Sequence, residues 1–220
     1  MKIIALADIH GRKRIIQKIN WKLQTIEADC IIIAGDIAKY MSIEEAAEIL
    51  SEIKKLELPV IYVPGNMDNP KLIEGVNVND TYCIHGRSLN FKGYILIGVG
   101  GALKGPFRTP LEYAEEEIME ILKSTLNMDE WNKVILVTHT PPFNTNADRL
   151  SWGEHVGSKA LRKIIEEKEP IINICGHIHE ARGKDKIKET LIVNPGPAMQ
   201  GYYSKIEISE NDVKVEMLRI

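Results

Sequence analysis

Nowhere in the 220 residues do eighteen apolar residues run together, so the sequence offers no helix long enough to cross a bilayer. A basic excess is lacking too. Against 31 Asp and Glu stand 28 Lys and Arg, for a net charge of −3, and that balance gives no electrostatic reason to expect nucleic acid or an anionic membrane surface as partner. Cysteine is scarce: Cys30, Cys83 and Cys175 are odd in number, are not spaced as CxxC, and each lies in or beside an apolar run. This is no disulfide framework; it reads as reduced, buried thiols in a cytoplasmic protein. The opening MKIIALADIH is cut short by Asp8, which makes it a first strand and not a signal peptide. Linkers, low-complexity tracts and charge blocks are absent, so residues 1–220 read as one domain.

What is present is a repeated grammar. A short run of β-branched and apolar residues stops at one or two polar residues capable of ligation. KIIALA runs into Asp8 and His10, CIIIAG into Asp36, VIYVPG into Asn66, KVILVT into His139, and IINICG into His177 and His179. Runs this short and this rich in Ile and Val are expected to be buried strands. Between them, residues 12–26, 42–56, 111–124 and 157–168 carry a helical period, with Ser42 as the expected N-cap of the second and Glu45 three residues on. Strands alternating with helices predict an α/β protein with largely parallel strands. The tail SKIEISENDVKVEML alternates around Glu210-Asn211-Asp212, which predicts an antiparallel hairpin.

Five strands thus deliver polar residues just past their carboxyl ends, the place where open α/β sheets bind ligands. Two carboxylates, one amide and four imidazoles (Asp8, His10, Asp36, Asn66, His139, His177 and His179) hold too many nitrogens for Mg²⁺ or Ca²⁺ and no thiolate. Mixed N/O ligation fits Mn²⁺, Fe²⁺/³⁺ or Zn²⁺, and seven donors exceed the need of one ion. Each piece alone has a plainer reading, such as a capping Asp, a turn or an exposed loop histidine. Five such coincidences after five separate strands outweigh those readings. A pair of ions bridged by one carboxylate follows, with a water between them acidic enough to attack phosphorus in line.

Asp8-Ile9-His10, Gly35-Asp36, Gly65-Asn66-Met67-Asp68, His139 and Gly176-His177-Ile178-His179, in this order, resemble the calcineurin-like metallophosphoesterases. The blocks span residues 8–179, and NPGPAMQGYY at 194–203 is similar to the closing segment of that family. The resemblance implies a four-layer αββα sandwich, two mixed β-sheets flanked by helices, with the metal site at the carboxyl ends of strands. It also implies that Asp8, His10, Asp36 and His179 hold one ion. Asp36 would bridge to a second ion that takes Asn66, His139 and His177, with Asn66 also touching a phosphate oxygen. Asp36, Asn66 and His139 are the implied catalytic residues.

The sequence departs from the family at a linked pair of positions. Many members carry a histidine after the site Asn and an aspartate three residues after the bridging Asp, a dyad thought to protonate the leaving oxygen. Here those positions are Met67 and Lys39. General acid catalysis is worth about 10²–10⁴-fold, so its loss favours a phosphodiesterase over a phosphomonoesterase or protein phosphatase. A non-catalytic scaffold like the family's retromer subunit is the reading of another class. Met67 itself reads as apolar filler. In SWGEHVGSKALR (151–162), His155 and Ser158 sit at an expected helix N-terminus suited to anions. With Lys39 and Asn66 they are the candidate contacts to a phosphoester substrate. His85 reads as a loop histidine.

Overall fold

The computed structural model describes residues 1–125, 131–209 and 212–220. Each apolar run is a strand whose alternate residues serve two different cores. In β1 (Lys2–Leu6), Ile3 and Ala5 face one way while Ile4 and Leu6 face the other, all of them buried. β2 (Cys30–Ala34) and β3 (Val60–Val63) divide in the same manner. This two-sided burial is why the runs are continuous instead of alternating.

The first sheet sets β1, β2, β3 and β4 (Thr81–Cys83) side by side in parallel. The expected tail hairpin, β13 (Tyr202–Ile208) with β14 (Val213–Arg219), completes it antiparallel along β1. Two residues of that hairpin's turn, Glu210 and Asn211, lie outside the described residues. The second sheet is built around β9 (Val134–Thr138), parallel to both β10 (Ile172–Ile174) and β6 (Tyr94–Val99). β12 (Thr190–Asn194) lies parallel to β10; β11 (Gly183–Ile187) and β5 (Ser88–Phe91) close its edges antiparallel. The inner faces of the two sheets meet in an apolar core that includes Ile32, Ile61, Ile135 and Ile174.

Helices α1 (Lys13–Leu23) and α2 (Ile43–Ile53) cover the outer face of the first sheet, and α3 (Glu115–Thr125) and α4 (Lys159–Lys168) that of the second. The result is the expected αββα sandwich with two six-stranded mixed sheets. The Ser42 hydroxyl caps α2 by accepting the Glu45 N–H at 3.1 Å, but the Glu45 carboxylate turns away to the Lys39 N–H at 2.6 Å. The helix expected over 111–124 begins only at Glu115. Ahead of it, β8 (Glu112–Tyr113) pairs with β7 (Ala102–Leu103), and the Glu112 carboxylate accepts the Thr109 N–H and hydroxyl at 2.6 Å each. Local capping of a loop therefore displaces the first helical turn. Among the described residues no helix is long and apolar enough to cross a membrane.

His85 is the loop histidine its sequence context suggests. Its Nδ1 accepts the Gly100 N–H at 2.8 Å and its Nε2 meets the Tyr113 hydroxyl at 3.2 Å, which ties the end of β6 to β8. Burial pushes its pKa down to about 4. An unfolded chain would protonate it near 6.5, so between those values the unfolded state binds the extra proton. Folding stability should therefore be fully present above about pH 6.5 and fall as pH drops through about 4, by on the order of 3 kcal/mol from this group. Urea titrations of wild type and His85→Gln across this window check it: the variant should lose that part of the slope.

Candidate metal centre

The loops leaving β1 and β2 are bonded to each other before any side chain is considered. Asp8 N–H donates to Gly35 O at 3.0 Å, and Ile9 and His10 N–H both donate to Asp36 O at 2.9 and 2.8 Å. Such sharp exits force the chain into the left-handed region at Asp8 (φ 54°), His10 (φ 47°) and Asp36 (φ 52°), and at His177 (φ 69°) after β10. Non-glycine residues rarely adopt this conformation, and it collects at functional sites. Here it aims four of the seven candidate donors inward.

The two sheets then hold each other's donors. His139, after β9, donates its Nδ1–H to Ala34 O of β2 at 2.8 Å, and the His177 N–H reaches both oxygens of the Asp8 carboxylate at 3.2 Å. Asp36 Oδ1 accepts the Met67 N–H at 2.9 Å. The contribution of position 67 is thus a backbone one. Asp68, whose role the sequence did not disclose, is fully buried; its carboxylate accepts N–H bonds from Gly65 (2.8 Å), Ile37 (3.0 Å) and Ala38 (2.9 Å). It binds the loop after β2 to the loop after β3. Asp68 and Ala38 lie 30 positions apart, so no local pattern could have shown it.

What remains on the donors is a set of facing lone pairs. His10 Nε2 and His179 Nε2 stand 3.3 Å apart, with Asp8 Oδ1 3.5 Å from the latter. His139 Nε2 faces Asn66 Oδ1 at 2.9 Å. Asp36 Oδ2 lies 3.6 Å from His10 Nε2 and 3.5 Å from His139 Nε2. His177 joins through its ring, 5.0 Å from that of His139. Asp8, His10 and His179 form one compact triad of donor atoms, and Asp8, Asp36 and His139 a second. Asp8 therefore borders both groups, where the sequence pointed to Asp36 alone.

Donors bound about 2.0–2.2 Å from an ion stand roughly 3–3.6 Å from one another, and these separations fit. The charges fit as well. Burial alone would lower the pKa of His139, but the Asp36 carboxylate holds it up at about 9. Burial would likewise raise Asp36, and His139 draws it down to about 2. Burial, with His139 beside it, pushes His177 down to about 4. The centre demands positive charge among its lone pairs but accepts protons on only some of its imidazoles. The residues present suit divalent cations in their place.

The substrate-side candidates separate. Ser158 is fully buried: its hydroxyl accepts the Leu161 N–H at 3.1 Å as the N-cap of α4 and donates to Glu115 Oε2 at 2.6 Å. Glu115 also accepts the Lys159 and Ala160 N–H groups at 2.8 and 2.9 Å. The anion expected at this helix N-terminus is the chain's own carboxylate, which corrects the reading of Ser158 as a substrate contact. His155 donates Nδ1–H to the buried Asp148 Oδ1 at 2.7 Å and lines a cleft that also contains Asn66 and His177. Lys39 is exposed, and among the described residues its ammonium makes no hydrogen bond or ion pair with the cluster.

A Cβ on Gly65 would run into both the carboxylate and the backbone N of Asp36, so Gly65→Ala must displace Asp36. The expected result is Mn²⁺ or Zn²⁺ affinity weakened at least about tenfold, read by calorimetric titration with circular dichroism confirming an intact fold. Unchanged affinity would remove Asp36 from the centre.

The family profile described as metallophosphoesterase, calcineurin superfamily, matches residues 38–218. An uncharacterized protein of Methanocaldococcus jannaschii, MJ1162, is 37% identical over 203 residues, covering 90% of this chain and 88% of that protein. A probable cyclic nucleotide phosphodiesterase of Xenorhabdus bovienii is 25% identical over 222 residues, covering 91% and 87%. Among solved structures, the Thermus thermophilus protein TT1561 superposes with a TM-score of 0.76 at 22% identity over 99% of both chains, a likeness of fold. The sandwich, the donors at its strand ends and the extent of these matches lead to one assignment: the chain belongs to the calcineurin superfamily of metallophosphoesterases.

Proposed function

We propose that the protein is a dinuclear metal-dependent phosphodiesterase. The observation that carries this reading is the position of Asp36 Oδ2, 3.6 Å from His10 Nε2 and 3.5 Å from His139 Nε2. One oxygen faces a histidine of each donor group, as a bridging ligand must. In this reading Asp8, His10, Asp36 and His179 hold one ion, and Asp36, Asn66, His139 and His177 the other. Two divalent ions there, Mn²⁺, Fe or Zn²⁺, would supply a nucleophile at neutral pH and neutralise charge on the phosphoryl group. Residues 1–220 work as one domain, because β13 and β14 from the far end of the chain complete the sheet begun by β1. Three buried free thiols, Cys30, Cys83 and Cys175, accord with a reducing, cytoplasmic setting.

The chain's own groups have distinct tasks in this scheme. The Ala34 carbonyl fixes the His139 tautomer by accepting its Nδ1–H, so Nε2 is the ligating atom. The Met67 N–H holds Asp36 Oδ1, leaving Oδ2 facing His10 and His139. Asn66 sits on the cleft wall and orients the phosphoryl oxygens. His155, fixed by Asp148, offers Nε2 to the substrate from the same cleft.

Preference for diesters follows from the missing dyad. Met67 has no proton to give, and Lys39 is exposed with its N–H, not its ammonium, bonded to Glu45. The related protein named as a probable cyclic nucleotide phosphodiesterase supports the same direction. A retromer-like scaffold has less support, since all seven donors are present and converge.

With Mn²⁺, kcat/KM for bis(4-nitrophenyl) phosphate should exceed that for 4-nitrophenyl phosphate; the reverse order would make the protein a monoesterase. Asp36→Asn should lower turnover by roughly 10²–10³-fold or more together with bound metal, and near-normal turnover would end the dinuclear reading. Restoring the dyad with Met67→His and Lys39→Asp should shift activity toward the monoester by about tenfold or more, measured as the ratio of the two kcat/KM values.

A further inference from the structure

We propose that the cleft beside Asn66 and His177 is the seat of a planar aromatic ester group, so that the substrate is a phosphodiester with an aryl or nucleobase-bearing substituent. The inference rests on the phosphodiesterase reading and adds the class of its substrate. The cleft has a volume of about 720 Å³, and Asn66 and His177 are among the residues that line it. An occupant can therefore share the phosphoryl group with the donor cluster.

Three aromatic side chains line this one cleft: Phe107, Phe143 and Trp152. Phe107 is 86% exposed and Trp152 71% exposed, although both are large and apolar. Large apolar groups left in water around a concavity mark a binding surface. The Trp152 Nε1–H donates to Glu154 at 3.0 Å. A flat ring stacks with any other flat ring at little conformational cost.

The charges of the cleft argue against a second anionic group in the occupant. Lys104 is paired with Glu117 at 2.8 Å, and the Lys159 ammonium lies over the Phe143 ring, 5.3 Å from its centre. Glu115 caps α4, and Glu112 is bonded to Thr109 and Gly105. Lys104, Glu112 and Glu115 are thus engaged by the chain itself, and the wall offers rings and aliphatic surface, with His155 as a polar point. The volume suits a small molecule. It does not suit the face of a folded protein substrate.

The test uses metal-loaded full-length protein and a series of 2,2,2-trifluoroethyl phosphodiesters whose second ester group is methyl, octyl or 1-naphthyl. KM for the naphthyl compound should lie at least about tenfold below that of the methyl compound, with octyl showing no such gain. Trp152→Ala and Phe107→Ala, both at exposed positions, should draw the naphthyl-to-methyl KM ratio toward one while kcat for the naphthyl diester stays within about threefold. Calorimetric binding of 1-naphthyl methylphosphonate, which reads affinity without turnover, should weaken by about the same factor in Trp152→Ala. A flat KM series, or a gain for octyl and none for naphthyl, overturns the aromatic cleft and leaves the phosphodiesterase intact. Tight binding of the naphthyl phosphonate without hydrolysis of any diester does the opposite. Absence of both aromatic binding and turnover refutes both.

Discussion

Three backbone N–H groups, from Gly65, Ile37 and Ala38, converge on the buried carboxylate of Asp68, and the rest of the centre depends on that convergence. It joins the loops leaving β2 and β3, the two loops that carry Asp36 and Asn66. With no water to replace them, those N–H groups would cost a folded chain about 1–3 kcal/mol each if left unpaired. The arrangement brings its own tension. Burial and the nearby Asp36 push Asp68 up to about 7, while its three donors pull the other way. Asp8, Asp36 and Asp68, on the loops after β1, β2 and β3, are all buried, and buried carboxylates need compensating positive charge. Loop order and cation binding are therefore one problem here.

The sheets share in its solution. Asp8, His10, Asp36 and Asn66 leave the first sheet, and His139, His177 and His179 leave the second. The bonds from His139 to Ala34 and from His177 to Asp8 cross between them. Relative sliding of the two sheets would break both bonds and open the donor set. The apolar core between the sheets, with Ile32, Ile61, Ile135 and Ile174 wholly buried, resists that sliding. In this way packing about the middle of the strands sets ligand geometry at their ends.

How much of this could be read from the sequence depends on the range of the contacts. Strand runs and helical periods are local, and they predicted an α/β protein with polar residues at five strand ends, while the αββα layering came from the family resemblance. The capping of α2 by Ser42 was legible for the same reason. The long-range bonds were not. Asp68 was visible as part of a motif but not as a clamp, since its partners Ile37 and Ala38 lie on another loop. Ser158 was correctly placed at a helix start, yet the anion there comes from Glu115, 43 residues earlier. The helix expected from 111 starts at Glu115 because Glu112 caps a loop and β8 pairs with β7, a pairing only the folded chain creates.

Position 67 shows why a superfamily member can lose its acid dyad and retain its centre. A histidine there would give two things, an imidazole directed at the leaving group and a backbone N–H. Only the second touches the donors: the Met67 N–H meets Asp36 Oδ1 at 2.9 Å, and every residue but proline supplies it. The methionine side chain is half-buried and the lysine at position 39 exposed, so neither substitution strains the loops that Asp68 ties together. Ligand geometry and proton delivery are thus carried by separate atoms of the same residue. Substitution can remove the second without loosening the first. In the proposed reading, what it changes is which ester can leave: a group needing a proton at the moment of bond cleavage is disfavoured, and one stable as an anion is not. On the same reading, a cleft that presents rings beside such a centre would place selectivity in the group it holds and leave the rate to the leaving oxygen.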